Sequence, residues 1–301
     1  MGNKGLRVPL AVGDVLVGGE RCALMAILNA TPDSFFDGGK WNTPERAAQR
    51  ARTAIAEGAR ILDVGAASSR PGSTPVSEEE ELRRIVPVLE AVVPICAEAG
   101  VPVSADTTSA AVAREAVRLG ARIVNDVSAL GADPAMAATV AELSRKHGCA
   151  VVLNHPSGGS PEKVKRELLE RAKELEALGM EPSRICLDPG IGFGKTAEEN
   201  YDLLAATESL CATGYPVLVG VSRKSLFGKT PGLEKSDRLV PSVVVHLLSA
   251  CAGACIVRAH DVAATREALD VLDMFAKRAS VRSPFVPADS FRMDENKAEA
   301  R

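Results

Sequence analysis

The chain has 301 residues, 46% hydrophobic and 25% charged, with a formal net charge of −3 at pH 7. This balance supplies apolar material for a large core and carries no basic surplus suited to nucleic acid. No apolar run approaches the roughly 18 to 20 residues that span a bilayer, and Met1 to Leu10 lacks the apolar centre of a signal peptide, so a cytoplasmic protein without membrane or nucleic-acid partners is expected.

Residues 1–21 contain a short pattern, Leu6 to Gly19, that reads as a hairpin set to close the floor of a barrel. From residue 22 to about 280, apolar β-branched runs alternate with longer helical patterns, the signature of βαβ units and a parallel sheet. Strands are predicted at Cys22 to Asn29, Arg60 to Gly65, Pro102 to Thr107, Arg122 to Val127, Ala150 to His155, Arg184 to Asp188, Pro216 to Ser222 and Ala254 to His260. Thr43 before Pro44 predicts an N-cap with proline at the first helical position, and Ser77 with Glu80 predicts a capping box. The helix from Ser77 to Ala97 carries Leu82, Ile85, Val86, Leu89 and Val92 on one stripe, as a shell helix does. Length alone fits two domains, but eight strand–helix pairs without a break in composition predict a single α/β domain, a (β/α)8 TIM barrel with a short N-terminal hairpin. Residues 281–301 are polar and without an apolar stripe, and are expected to form a flexible tail. The seven cysteines are scattered, with no CxxC, and read as reduced core residues.

In such a barrel the active site lies at the C-terminal ends of the strands. Those ends carry Asn29, Asp63, Asp106, Asn125 with Asp126, His155, Asp188, Ser222 to Lys224, and Arg258 with His260. Asp106, Asn125 and Asp188 suit an NH-rich planar edge and Lys224 a ring oxygen or nitrogen, a pattern that suits a 2-amino-4-oxo pteridine or a guanine. A carboxylate against an aminopyrimidine edge makes paired, charge-assisted bonds worth about 1.5 to 3 kcal/mol each. Arg258 and His260 fall where barrels often hold phosphate, and Asn29 offers one oxygen to a magnesium ion carried by that phosphate. A pteridine bearing a phosphate or diphosphate is the expected ligand.

Other features read as structural. The run DPGIGFGKT from Asp188 to Thr196 fails as a phosphate-binding P-loop, because Pro189 stands where the first glycine is required. His246, in an apolar helix, is expected in the core or at an interface. His155 is divided between support and ligand contact, with support favoured. Asp63 and Asp126 are likewise divided and stand outside the first-rank site, and Lys195 is expected to be a solvated loop lysine.

The motifs ILNATPDSFFDGG (Ile27 to Gly39), SSRPG (Ser68 to Gly72), DTT at Asp106, ND at Asn125, DPGIGFGKT, GVSRKS (Gly220 to Ser225) and RAHDV (Arg258 to Val262) occur in the order and spacing of a known family. From about Cys22 to Phe275 the chain resembles the dihydropteroate synthases, folate-pathway transferases that join p-aminobenzoate to 6-hydroxymethyl-7,8-dihydropterin diphosphate. The resemblance implies pterin contact by Asp106, Asn125, Asp188, Phe193 and Lys224, and diphosphate contact by Asn29, Ser69, Arg258 and His260, with magnesium at Asn29. It implies p-aminobenzoate contact by Thr31, Phe35, Arg70, Pro71, Phe193 and Ser225, and catalytic parts for Asp33, Arg70, Asp106 and Lys224. It also implies a homodimer and a sulfonamide target; the apolar face of the Val243 to Leu248 helix offers a place for the dimer contact.

Two departures bear on affinity and sulfonamide response. The family usually reads GGESTRPG where this chain has GAASSRPG, so Ala67 replaces a glutamate and Ser69 a threonine. It tends to read MHM where this chain has Asn154, His155 and Pro156. The alternatives are a catalytically silent pterin-binding paralogue and a pterin-dependent methyltransferase domain.

Overall fold

The computed structural model describes residues 7–30, 43–67 and 76–278. The expectations for Thr31, Asp33, Phe35, Ser69, Arg70, Pro71 and the 281–301 tail lie outside the described residues.

Strands β1 (Leu10–Val12) and β2 (Val15–Val17) pair antiparallel as a hairpin, with Gly13 in the turn at φ +56°. Eight parallel strands follow: β3 (Ala23–Asn29), β4 (Ile61–Gly65), β5 (Val103–Asp106), β6 (Ile123–Asp126), β7 (Ala150–Asn154), β8 (Ile185–Asp188), β9 (Leu218–Val219) and β10 (Ile256–Ala259). They run in the order β8-β7-β6-β5-β4-β3-β10-β9, and a parallel bridge between Leu187 and Val217 closes the ring. Each predicted strand is present, trimmed by one or two residues at most ends; β9 is the shortest because Pro216 has no N–H to donate and Gly220 begins the next corner.

The helices are α1 (Pro44–Ala56), α2 (Glu78–Glu98), α3 (Ala110–Leu119), α4 (Met136–His147), α5 (Pro161–Ala177), α6 (Ala197–Ala205), α7 (Thr207–Cys211), α8 (Leu239–Cys251) and α9 (Val262–Arg278). Thr43 caps α1 as predicted, its side chain accepting from the Arg46 N–H. Ser77 caps α2, but the expected box is only half made, because the Glu80 carboxylate turns to Arg83 and Arg84 at 2.7 and 2.6 Å. The reciprocal box occurs instead at Thr196 and Glu199, opening α6. Among the described residues, no helix is long and apolar enough to cross a membrane.

Strand alternation separates two kinds of surface. In β7, Val151 and Leu153 face outward to Val164 and Leu168 of α5, whereas Ala150 and Val152 share a cluster with Ile61, Ile123, Cys186, Leu218 and Ile256 inside the barrel. Leu10, Val12 and Val17 of the hairpin join that interior cluster, and burying each contributes about 1.5 to 3 kcal/mol. The hairpin is tied at the N-terminal ends of the strands: the Gly13 N–H donates to the Gly148 carbonyl at 2.9 Å, and Arg184 donates to both the Gly148 and Gly13 carbonyls. All seven cysteines are free thiols, five of them buried; burial pushes Cys22 and Cys149 up to about 12, which keeps them protonated and inert.

Candidate active site

The inward parity that places Ile61, Ile123, Val152, Cys186 and Ile256 in the apolar interior carries on, two residues later in each strand, to Asp63, Asn125, Asn154, Asp188 and Arg258. Asp106 and Asn29 close β5 and β3 at the same end. The polar layer at the mouth is thus the direct continuation of the apolar one, and parallel strands bring side chains up to 195 residues apart into contact.

Its centre is a shared cation. Arg258 Nε donates to Asp63 Oδ2 at 2.6 Å, and its Nη2 donates to Asp106 Oδ2 at 2.9 Å. Asn125 Nδ2 donates to the same Asp63 oxygen at 3.2 Å. Asp63, which the sequence leaves divided between support and site, is completely buried with inward parity and holds both Arg258 and Asn125 from beneath the mouth. Two carboxylates here share one guanidinium. Burial raises the Asp106 pKa to about 7, with Asp63 adding to the effect and Arg258 opposing it. Asp63 Oδ1, Asn125 Oδ1 and Asn154 Oδ1 are buried without a hydrogen-bond partner among the described residues. Such atoms are costly unless a ligand or water supplies donors.

Opposite, Asp188 ends β8 and accepts the Gly190 N–H at 2.7 Å. Burial raises its pKa while the nearby Lys224 lowers it. Lys224 lies 4.6 Å from the Phe193 ring centroid and donates to the Ile191 carbonyl; burial brings its pKa down to about 8 against the pull of Asp188. The glycines of the GIGFG run make this approach possible. At Gly190, with φ +70°, a Cβ would fall 1.9 Å from the His155 carbonyl oxygen, and at Gly192, with φ +85°, one would fall 2.8 Å from the Lys224 stem.

Lys195 is not the solvated lysine that the sequence reading expected. Its Nζ donates to the His155 and Phe193 carbonyls at 3.1 Å each, and burial lowers its pKa to about 8. It fastens the loop that carries Phe193 to the end of β7.

The β9 and β10 ends form a second corner. Ser222 Oγ accepts the His260 N–H at 3.1 Å and lies 3.1 Å from its Nδ1. Arg223, at φ +53°, makes a paired ion bridge to Asp261 at 2.7 Å, so the chain on either side is locked while Lys224 turns inward and Ser225 stays exposed.

Three residues fall outside the site. Nδ1 of His155 lies 3.0 Å from the Ser157 carbonyl oxygen and Nε2 lies 2.8 Å from Glu167, which makes His155 a loop support, the favoured reading. Asp126 has outward parity and accepts from the Ser128 and Leu130 backbone, holding the turn in which Ala129 and Leu130 have positive φ. His246 is a buried core histidine, brought down to about 4 by burial.

The family model for pterin binding enzymes matches residues 25–260. The dihydropteroate synthase of Bacillus subtilis is 38% identical over 270 residues, covering 87% of this chain and 91% of that protein. The structure of Xanthomonas albilineans dihydropteroate synthase with 4-aminobenzoic acid is 42% identical, with a TM-score of 0.79 over 89% of this chain and 98% of that one. That of Yersinia pestis dihydropteroate synthase in a sulfonamide drug complex is 36% identical, with a TM-score of 0.79 over 88% and 98%.

Proposed function

The chain belongs to the dihydropteroate synthase family of pterin-binding enzymes, and from that premise we propose that it joins p-aminobenzoate to 6-hydroxymethyl-7,8-dihydropterin diphosphate, giving 7,8-dihydropteroate and pyrophosphate. The observation that carries this reading is the set of unpartnered acceptor oxygens at the barrel mouth, on Asp63, Asn125 and Asn154, beside the carboxylates of Asp106 and Asp188. They suit a rigid ligand that brings several N–H donors, and a 2-amino-4-oxo pteridine supplies them.

The reaction is a transfer of the pterin methylene group. The carbon–oxygen bond to the diphosphate breaks, the bonding pair leaves with the pyrophosphate, and the aniline nitrogen forms the new bond to that carbon and sheds a proton. Positive charge develops on the pterin as the leaving group departs, and Asp106 and Asp188 stabilise it. Lys224 donates to the pterin and, through Phe193 beneath it, holds the ring in place. Arg258 and His260 receive the diphosphate; Arg258 reaches it from its anchor on Asp63. The weakly basic aniline needs position more than activation; the proposal gives that part to Ser225 and Phe193 and, from the family resemblance, to Thr31, Asp33, Phe35, Arg70 and Pro71, which lie outside the described residues. Ser69 joins the diphosphate side.

A magnesium ion fits the donor set at Asn29. The described residues hold no group of three or more His, Cys, Asp or Glu side chains that could hold a metal, whereas a single amide oxygen suits an ion that keeps most of its waters and arrives on the diphosphate. When bound, it neutralises charge on the leaving group.

The proposal extends to a homodimer in the cytoplasm; the dimer is supported by an apolar row on α8 and its neighbour α9. The proposal includes a sulfonamide target, supported by the Yersinia pestis relative's structure in a sulfonamide drug complex.

Purified protein with dihydropterin diphosphate, p-aminobenzoate and magnesium tests the activity. Pyrophosphate release that depends on the aminobenzoate and equals dihydropteroate formed is the expected result. Pterin binding without product would replace the proposal with a silent paralogue.

A further inference from the structure

Asn154 is the last residue of β7, in register with Asp188 of β8 and on the inward side of the barrel. It is 5% exposed, and its Oδ1 is buried without a partner among the described residues. The amide is held at that place from two sides. The backbone continues into His155, whose ring is fixed by Glu167 and whose N–H donates to the Asp188 carbonyl at 3.0 Å. Across from it stands Gly190, where a Cβ would lie 3.0 Å from Asn154 Oδ1, so the side chain already fills its share of that space. Asn154 is on the inward side of β7 at the mouth, and a buried amide oxygen there with no donor among the described residues suits an N–H of a bound ligand.

The neighbouring carboxylate indicates which N–H. An aminopyrimidine edge offers its ring N–H and one amino N–H to a carboxylate as a pair, leaving the second amino N–H for an acceptor beside that carboxylate. Asp188 supplies such a carboxylate, and Asn154 is level with it on the adjacent strand. We propose that Asn154 is a specificity-determining residue of this site, its Oδ1 accepting the second N–H of the exocyclic 2-amino group of the bound pterin. This rests on the pterin reading above. It makes the mouth selective for a 2-amino ring over a ring lacking that group, because only the former relieves both Asp188 and Asn154. A ligand without the amino group leaves Oδ1 buried and unpaired, at a cost of about tenfold in affinity.

The test is a cycle of protein variants against ligand variants. Dihydropterin diphosphate and its 2-desamino analogue are titrated calorimetrically into the full-length wild type and into Asn154→Leu and Asn154→Ala, each checked for an unchanged melting transition. Leucine keeps the volume and alanine guards against misfolding of the first variant. Asp188 is intact in all three proteins, so its own loss with the desamino ligand cancels. Wild type is expected to prefer the 2-amino ligand by about tenfold more than either variant does. Equal preference in all three proteins would overturn the role of Asn154 while leaving the functional reading intact. Wild type that binds neither ligand would overturn the functional reading, and this inference with it.

Discussion

Asp63 and Arg258 are 195 residues apart in sequence and joined at 2.6 Å, with the carboxylate fully buried and the guanidinium 21% exposed. The same Asp63 oxygen takes the Asn125 amide, so one buried atom sets the rotamers of two residues expected on opposite ends of the substrate. Removing it leaves Arg258 with Asp106 alone and Asn125 Nδ2 with no acceptor. Asp63→Ala is therefore expected to lower the free energy of unfolding in urea by about 3 kcal/mol, as breaking a buried pair from one side does. Asp63→Asn keeps an oxygen and should lose less. A loss below about 1 kcal/mol for the alanine variant would show that Asp106 holds Arg258 unaided.

The opposed shifts of Asp106 and Lys224 define a pH window. Asp106 has to be ionised to stabilise the pterin cation and titrates at about 7, while Lys224 has to be protonated to donate and titrates at about 8. The profile of kcat/KM for the dihydropterin diphosphate, which reports the free enzyme, is expected to be a narrow bell with limbs near those values, each belonging to the coupled set of groups. Lys224→Arg retains its charge at higher pH and should move the alkaline limb upward even if turnover is slower. An alkaline limb unmoved in that variant would remove Lys224 from the assignment. Stability follows the same shift. Because the folded pKa of Asp106 lies above its ordinary value of 3.8, its contribution is fully present below that value and is lost as pH rises through about 7. Asp106→Asn should thus gain in melting temperature relative to wild type between about pH 5 and pH 8.

The barrel was legible because its strands are buried on both faces and punctuated by turn residues, so runs such as Ala150 to Asn154 stand out by composition alone. The strand-end residues followed from that. Asp63 and Lys195 were harder for a physical reason. Asp63 reads as an interruption in ILDVG until the parity of Ile61 is known, and it is parity that decides between mouth and loop. Lys195 sits in a glycine-rich loop whose path depends on positive φ at Gly190, Gly192 and Gly194, and no periodicity reports where such a loop leads. At Glu80 the capping role competes with two nearby arginines, an outcome settled by side-chain reach rather than spacing.

Lys195 supports a prediction opposite to that for a solvated lysine. Its two carbonyl acceptors belong to His155 and Phe193, so Lys195→Met should loosen the loop under Lys224 and raise KM for the pterin substrate more than it lowers kcat. Its folded pKa, about 8, is below its ordinary 10.5, so the charged form is penalised by burial. That penalty is absent above about 10.5 and grows as pH falls through about 8; wild type should therefore gain stability relative to Lys195→Met as pH is raised from about 7.5 to 10. Urea midpoints measured across that range for both proteins check the slope, and parallel curves would return Lys195 to the solvated class.

The apolar row on α8 carries the proposal of a homodimer. Val240, Val244 and Leu248 recur every fourth residue and are 68%, 47% and 48% exposed, and Met274 and Phe275 of the adjacent α9 extend the same kind of surface. Large exposed side chains in a contiguous patch mark an association site more often than they mark nothing. Val244→Asp places a charge at the middle of the α8 row, where the monomer leaves the side chain in water and tolerates it. Sedimentation velocity is expected to show a dimer for wild type and a dissociation constant raised at least about thirtyfold for the variant, the effect of one hot-spot loss near 2 kcal/mol. Circular dichroism and the melting transition should be close to those of wild type. A wild-type chain that sediments as a monomer at tens of micromolar would sink the dimer, and a variant that stays dimeric would move the interface off α8.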